Sequence, residues 1–155
     1  MMIRIVLIVL SLFAINPTFA RDLGEVDTTF KLIGPDNKIV VLAFEDPKAN
    51  GVTCFLSRAK TGGITGAVGL ATDTSDASVA CRQTGPIVFK EKIGAKGEEV
   101  FTEKTSILFK KMHIVRFYDE VSNSLVYLVY SDKLIDGSPK NSISAVWLDT
   151  VRPPR

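Results

Sequence analysis

The chain has 155 residues, of which 46% are hydrophobic and 23% charged, with 19 Lys+Arg against 17 Asp+Glu. The charges are nearly balanced and are interspersed along the chain, so there is no electrostatic reason to expect nucleic acid as a partner. A chain of this length forms one domain of ordinary size, which buries about two-thirds of its unfolded surface.

The start of the chain has the pattern of a secretory signal peptide. One positive charge, Arg4, precedes an apolar run, and small residues lead to a cleavage site between Ala20 and Arg21. The apolar run is shorter than the about 20 residues of a transmembrane helix, although an uncleaved anchor remains the alternative. We therefore expect residues 1–20 to be removed and residues 21–155 to form a single periplasmic domain with no stable membrane anchor.

Cys54 and Cys81 are the two cysteines of the chain. Two cysteines in an exported protein usually pair, because the compartments outside the cytoplasm are oxidising. We predict a disulfide that pins the segment between them and stabilises the fold by roughly 3 kcal/mol. Two free, buried thiols are the alternative.

The segment between the cysteines is the candidate ligand loop. Its glycines could expose backbone N–H groups to an anion, although their spacing matches neither G-x-G-x-x-G nor a Walker A motif. Its aspartates lack the spacing of a calcium loop and are better suited to cap a short helix. Ala77, Ala80 and Cys81 would share one face of that helix, although Ala77, Val79 and Cys81 would equally share one face of a strand. The candidate loop residues are Gly62, Gly63, Gly66, Gly69, Asp73 and Asp76.

The rest of the chain alternates short apolar runs with polar turns. Strands are expected over residues 25–32, 39–44, 51–58, 86–93, 100–118, 125–130 and 143–148. The long segment 100–118 is predicted to be two strands or one bent strand, and the ending 152–155 cannot pair into a sheet. The predicted fold class is mainly β, an antiparallel sandwich or open barrel with one or two short helices.

Candidate catalytic residues are few. Ser57 and Lys60 match S-x-x-K, but Lys60 also begins a K-T-G, and penicillin-binding proteins need these two motifs on separate elements. His113 is the single histidine, and we expect a structural or surface role for it. No second imidazole and no free thiol are present to complete a soft metal site. We therefore expect no catalytic residues, no metal and no cofactor.

One face of the segment around His113 mixes charged and apolar side chains. Lys110, Met112, Ile114, Arg116 and Tyr118 alternate along it. We interpret this face as long side chains that cover a sheet edge, with a partner or ligand surface as the alternative.

Four distinctive segments read KLIGPDNKIVV, VTCFLSRAKTGGITGAVGLATDTSDASVAC, VRFYD and YSDKLIDGSPKNSISAV, and with their spacing they extend from about Glu25 to Val146. Together these segments resemble the CreA family of bacterial periplasmic proteins. The ending WLDTVRPPR lies outside the resemblance. The resemblance implies a small exported protein connected with the use of carbon sources, but it implies no reaction and no catalytic residues. Both cysteines fit the family pattern, which supports the disulfide.

The leading hypothesis is a non-catalytic periplasmic module that binds a small ligand or an envelope protein through the glycine-rich loop. One alternative is an envelope hydrolase that assembles His113 with a carboxylate and a hydroxyl. The other is a structural envelope protein without a ligand, in which the hairpin 115–130 offers an apolar edge or patch to another chain.

Overall fold

The computed structural model of the protein describes residues 19–29, 36–60, 76–94, 96–105, 111–132 and 139–154. Within these ranges the fold is built from eight β-strands. They are β1 (Arg21–Asp27), β2 (Lys38–Glu45), β3 (Ala49–Lys60), β4 (Ala77–Phe89), β5 (Glu98–Lys104), β6 (Lys111–Asp119), β7 (Ser124–Ser131) and β8 (Asn141–Trp147).

The strands form two antiparallel sheets in simple chain order. The first sheet has the order β1-β2-β3-β4 and the second sheet has the order β5-β6-β7-β8. The prediction of a mainly β sandwich is confirmed, and the segment 100–118 holds parts of two strands, as expected.

The predicted short helix is wrong. Ala77–Cys81 is the first part of β4, where Val79 and Cys81 face the core and pair with Leu56 and Cys54. The small residues in this segment fit a helical face and a strand face equally well, and the pairing with β3 decides between them. The described ranges contain no helix, and accordingly no helix long and apolar enough to cross a membrane.

The core lies between the two sheets and follows the alternation of the strands. On β3, Val52, Cys54 and Leu56 are fully buried, and on β7 Leu125 and Val129 are also fully buried. Burial of an aliphatic side chain of this size contributes about 1.5–3 kcal/mol relative to exposure.

One side of the sandwich is joined by side chains instead of a strand ladder. The backbone N–H groups of Val79 and Cys81 on β4 donate to the hydroxyls of Ser142 and Ser144 on β8, at 3.1 and 2.8 Å. These bonds satisfy donors at the edge of the first sheet that would otherwise be unpaired. The fold is therefore a sandwich whose two sheets are linked along one side, an arrangement between a sandwich and an open barrel.

The two cysteines occupy directly paired positions on β3 and β4. Their sulfurs are 2.06 Å apart, a disulfide-bond distance, and both residues are fully buried. The bond therefore crosses the paired part of the hairpin and not merely the base of its loop. Beside it, Gly51 has φ +79°, and a Cβ there would lie 2.4 Å from the carbonyl oxygen of Pro86. Only glycine fits this bulge in β3.

Candidate functional site

The predicted ligand loop lies mostly outside the described residues. This applies to Gly62, Gly63, Gly66, Gly69 and Asp73, so their role stays a prediction. Asp76 is described and immediately precedes β4. Its carboxylate accepts a hydrogen bond from the Lys140 ammonium at 2.6 Å, so it joins the start of β4 to the residue before β8 and does not cap a helix.

A surface cleft of about 790 Å³ lies at the C-terminal end of β6, beside Tyr118 and Glu120. This volume is in the range of small-molecule sites, about 300–1,000 Å³. A loop of residues 92–94 forms one wall, the end of the chain forms the other, and the end of β6 with its turn lies between them. The lining residues are Lys92, Ile93, Gly94, Tyr118, Glu120, Arg152, Pro153 and Pro154.

Asn123 fixes the wall made by the end of the chain. It is buried in the β6–β7 turn with φ +49°, and its amide nitrogen donates to the carbonyls of Asp149 and Val151 at 2.9 and 3.0 Å. Its side-chain oxygen accepts a hydrogen bond from the Tyr118 hydroxyl at 2.9 Å. One side chain thus holds a lining residue of the cleft and the backbone that leads into Arg152.

Lys48 and Glu98 fix the opposite wall. The Lys48 ammonium donates to the carbonyl of Lys92 at 3.2 Å and to the Glu98 carboxylate at 3.0 Å. Glu98 also accepts a hydrogen bond from the backbone N–H of Gly94, and Ile93 is buried in the core. The loop 92–94 is therefore held in place by the burial of Ile93 and by the hydrogen bonds from Lys48 to Lys92 and from Gly94 to Glu98.

Arg116 connects this wall to the interior. It is fully buried, and its guanidinium donates to the carboxylates of Asp46 and Glu98. The Tyr127 hydroxyl donates to the other oxygen of Asp46 at 2.7 Å. Burial raises the pKa of Glu98, but hydrogen bonds from Lys48, Arg116 and Gly94 outweigh it and leave that pKa below its usual value. Burial next to Asp46 raises the pKa of Tyr127.

The buried cluster of Arg116, Asp46, Glu98 and Tyr127 was not predicted from the sequence. The mixed face of β6 is the core face, on which Met112, Ile114 and Arg116 are fully buried, so the interpretation as an edge cover or partner surface is wrong for these residues. The alternation along β6 places Arg116 on the same face as Met112 and Ile114, and so indicates that Arg116 is buried. It does not indicate the distant partner Asp46, without which burial of the Arg116 charge would be too costly.

His113 lies on the outer face of the second sheet, between two carboxylates. Its Nδ1 is 2.5 Å from Glu99 and its Nε2 is 3.1 Å from Asp132, and its ring stacks on Tyr130 at 5.1 Å. Burial lowers the pKa of His113, but the two hydrogen bonds outweigh it and raise that pKa above its usual value. Because both ring nitrogens are engaged, neither is free to take a proton from a hydroxyl nucleophile.

Ser57 and Lys60 do not assemble a catalytic pair. Both lie on β3, three residues apart, so their side chains point to opposite faces of the first sheet. The strand geometry therefore does not bring together the serine and lysine that S-x-x-K chemistry requires.

The fold and these sites define a small, single-domain, all-β protein of two antiparallel sheets with a disulfide inside the first sheet. The chain belongs to the CreA family, because the family model described as CreA protein matches residues 23–151. The match includes Trp147–Val151, which the resemblance in sequence had left outside, and it ends just before Arg152.

Three relatives are similar over most of the chain. Each carries the name Protein CreA, and they come from Escherichia coli strains K12, O6:H1 and O157:H7. Each is 57% identical over 141 residues, which cover 88% of this chain and 90% of the relative. No solved structure matches the chain.

Proposed function

We propose that the protein is an exported, non-catalytic binding module that holds a small ligand in the cleft between residues 92–94 and residues 152–154. The observation that carries this proposal is that buried or partly buried residues independently fix the two walls of the cleft. Asn123 holds one wall, and Lys48 with Glu98 holds the other. A cleft with rigid walls binds a ligand with little loss of conformational entropy.

The lining favours a small organic anion. Among the described lining residues, Lys92 and Arg152 carry positive charge and Glu120 carries negative charge. Arginine presents a planar fork of donors that matches a carboxylate or phosphate group. Tyr118 and the rings of Pro153 and Pro154 offer surfaces for the carbon body of such a ligand. The connection with carbon-source use that the family resemblance implies also suits a small metabolite as the ligand.

The non-catalytic part of the proposal is supported by His113. Its two nitrogens are tied to carboxylates, so the geometry does not favour the alternative of a hydrolase with a histidine base. Export is supported by the signal-peptide pattern of residues 1–20. A disulfide between Cys54 and Cys81 also suits an oxidising compartment such as the periplasm.

Native mass spectrometry of the mature protein, released gently from the periplasm, tests this proposal. We expect a small adduct on the wild-type protein, and we expect it to be lost in Arg152→Ala and in Lys92→Ala. Lys60→Ala is the matched control, since Lys60 is an exposed cation at the end of β3 that does not line the cleft.

Thermal unfolding gives a second readout. Small carboxylates, sugar acids and inorganic phosphate would each be added to the wild-type protein and to the three variants. A rise in melting temperature that Arg152→Ala abolishes and Lys60→Ala retains supports the cleft. A bare protein in the mass spectrum together with no shift by any compound would refute it.

A further inference from the structure

The described lining of the cleft carries charges of both signs that are not paired with each other. Lys92 lies on one wall, Arg152 lies on the other, and Glu120 lies on the turn between them. Within the part of the chain that the structure describes, none of these three side chains forms an ion pair. By contrast, Lys48, which supports one wall, is paired with Glu98 at 3.0 Å. The three charged groups at the cleft are therefore left for a ligand.

Two neighbouring carboxylates in the β6–β7 turn have different roles. The Asp119 carboxylate accepts hydrogen bonds from the backbone N–H groups of Val121 and Ser122, at 3.1 and 3.3 Å, so its charge is used within the turn. Glu120 lies between these residues, is exposed and lines the cleft. The closed turn therefore fixes the backbone of Glu120 and leaves its carboxylate to face the cleft.

The two cations are carried by fixed backbone on opposite walls. The carbonyl of Lys92 accepts a hydrogen bond from Lys48, and the carbonyl directly before Arg152 accepts one from Asn123. The Nη1 atom of Arg152 donates to the Tyr118 hydroxyl at 3.5 Å. The Nε and Nη2 edge of the guanidinium is left to bind an acidic group with two parallel hydrogen bonds.

The other charged side chains near the cleft do not change this pattern. Glu98 and Lys48 neutralise each other in the wall, and Glu91 lies 3.7 Å from the Lys48 ammonium. Arg116 is fully buried and is paired with Glu98 and Asp46. The remaining charged residues of the described loop, turn and chain end are exposed, do not line the cleft and have two charges of each sign, Lys90 and Lys96 against Asp119 and Asp149.

We infer that the ligand of the cleft is an acidic amino acid, a molecule with two carboxylates and one ammonium group. This inference rests on the proposed function and deepens it. A lining of two cations and one anion is complementary to a ligand with the opposite set of charges. The carboxylates would bind Arg152 and Lys92 on the two walls, and the ammonium would bind Glu120. A simple dianion would leave the Glu120 carboxylate facing like charge, which selects against it.

Isothermal titration calorimetry of the mature, oxidised protein with three matched compounds tests the inference. L-Glutamate has the complete set of charges, glutarate lacks the ammonium group, and γ-aminobutyrate lacks one carboxylate. The wild-type protein should bind L-glutamate about tenfold or more tightly than either of the others, because each of them lacks one charge-assisted hydrogen bond. Glu120→Gln should bring L-glutamate and glutarate to similar affinities without weakening glutarate.

Glu91→Gln is the matched control, since Glu91 is an exposed carboxylate directly before the wall that does not line the cleft, and it should keep the preference for L-glutamate. Arg152→Ala should weaken L-glutamate and glutarate alike, because both would place a carboxylate there. The melting temperature without ligand shows whether each variant is folded.

Three outcomes would overturn the inference. They are equal binding of L-glutamate and glutarate by the wild-type protein, a preference for L-glutamate that persists in Glu120→Gln, and no binding of any of the three compounds. The proposed function fails separately. It would still be supported if glutarate, phosphate or a sugar acid bound the wild-type protein and lost its affinity in Arg152→Ala.

Discussion

The most consequential single residue in this molecule is Arg116. Its buried guanidinium joins Asp46, which follows β2 in the first sheet, to Glu98, which begins β5 in the second. Glu98 in turn holds Gly94 in the cleft wall. A buried ion cluster adds little net stability over well-packed apolar residues, but it is costly to break, because each remaining charge is left buried without its partner.

Arg116→Met should therefore lower the free energy of unfolding by about 3–5 kcal/mol, the usual cost of breaking a buried pair. Urea unfolding at neutral pH measures this. The double variant Arg116→Met/Asp46→Asn should recover part of the loss, because the asparagine oxygen can still accept the N–H of Ala49 without carrying a charge. If Arg116→Met is as stable as the wild-type protein, the cluster does not constrain the fold as argued.

His113 gives a prediction about pH. Its pKa in the folded protein is raised above the usual value by Glu99 and Asp132, so its stabilising contribution is fully present below the unfolded pKa of about 6.5. That contribution is lost as the pH rises through the folded pKa. The loss of unfolding free energy in His113→Gln should accordingly be larger at about pH 5.5 than at about pH 8.5, on either side of the histidine range.

Urea unfolding of the wild-type protein and His113→Gln at both pH values tests this prediction. Glu99→Gln serves as a companion variant, because it removes one of the two carboxylates and should reduce the pH dependence without removing the ring. An equal loss of stability at both pH values would contradict the assignment of His113 as a charged bridge.

At the scale of elements, the β3–β4 hairpin is stabilised both by the backbone pairing of its strands and by its disulfide. Replacing both cysteines, as Cys54→Ala/Cys81→Ala, should lower the free energy of unfolding by about 3 kcal/mol while the sheet is retained. Urea unfolding measures the loss, and circular dichroism reports the sheet. The wild-type protein under reducing conditions is the control and should lose a similar amount. Equal stability of the oxidised and reduced protein would refute the prediction.

The elements with a clear apolar pattern could be predicted from sequence, and those without it could not. β3 and β7 have buried apolar residues at every second position, and β2 is an apolar run with buried residues on both faces. All three strands were predicted within a few residues of their bounds. β1 is exposed along its whole length, so no apolar pattern marks its start at Arg21. At Ala77–Cys81 the local pattern is ambiguous, and only the partner strand resolves it.

The cleft could not be predicted for a different reason. Its residues come from three separate segments, and its walls depend on bonds such as those from Asn123 to Asp149 and Val151, 26 and 28 residues away. The positive φ of Asn123 is compatible with its residue type but is not specified by any motif. Burial of Arg116 likewise depends on Asp46, 70 residues away in sequence. Such contacts follow from the register of the two sheets and not from local pattern.

At the scale of the whole molecule, the fold is compatible with cleavage after Ala20. Arg21 is the first residue of β1, Ala20 lies against the core only in part, and Phe19 is almost fully exposed. Removal of residues 1–20 would therefore leave every described strand intact. We predict that the protein released from the periplasm by osmotic shock has the mass of residues 21–155 with one disulfide.

Intact-mass spectrometry of the periplasmic and membrane fractions tests this prediction. Ala20→Lys is the matched variant, because a small residue is required before the cleavage site and a lysine should block processing. The blocked chain should remain with the membrane fraction at full length, whereas the wild-type chain should be processed and soluble. Wild-type protein that keeps residues 1–20 would contradict export by cleavage. It would also leave the apolar leader as an anchor.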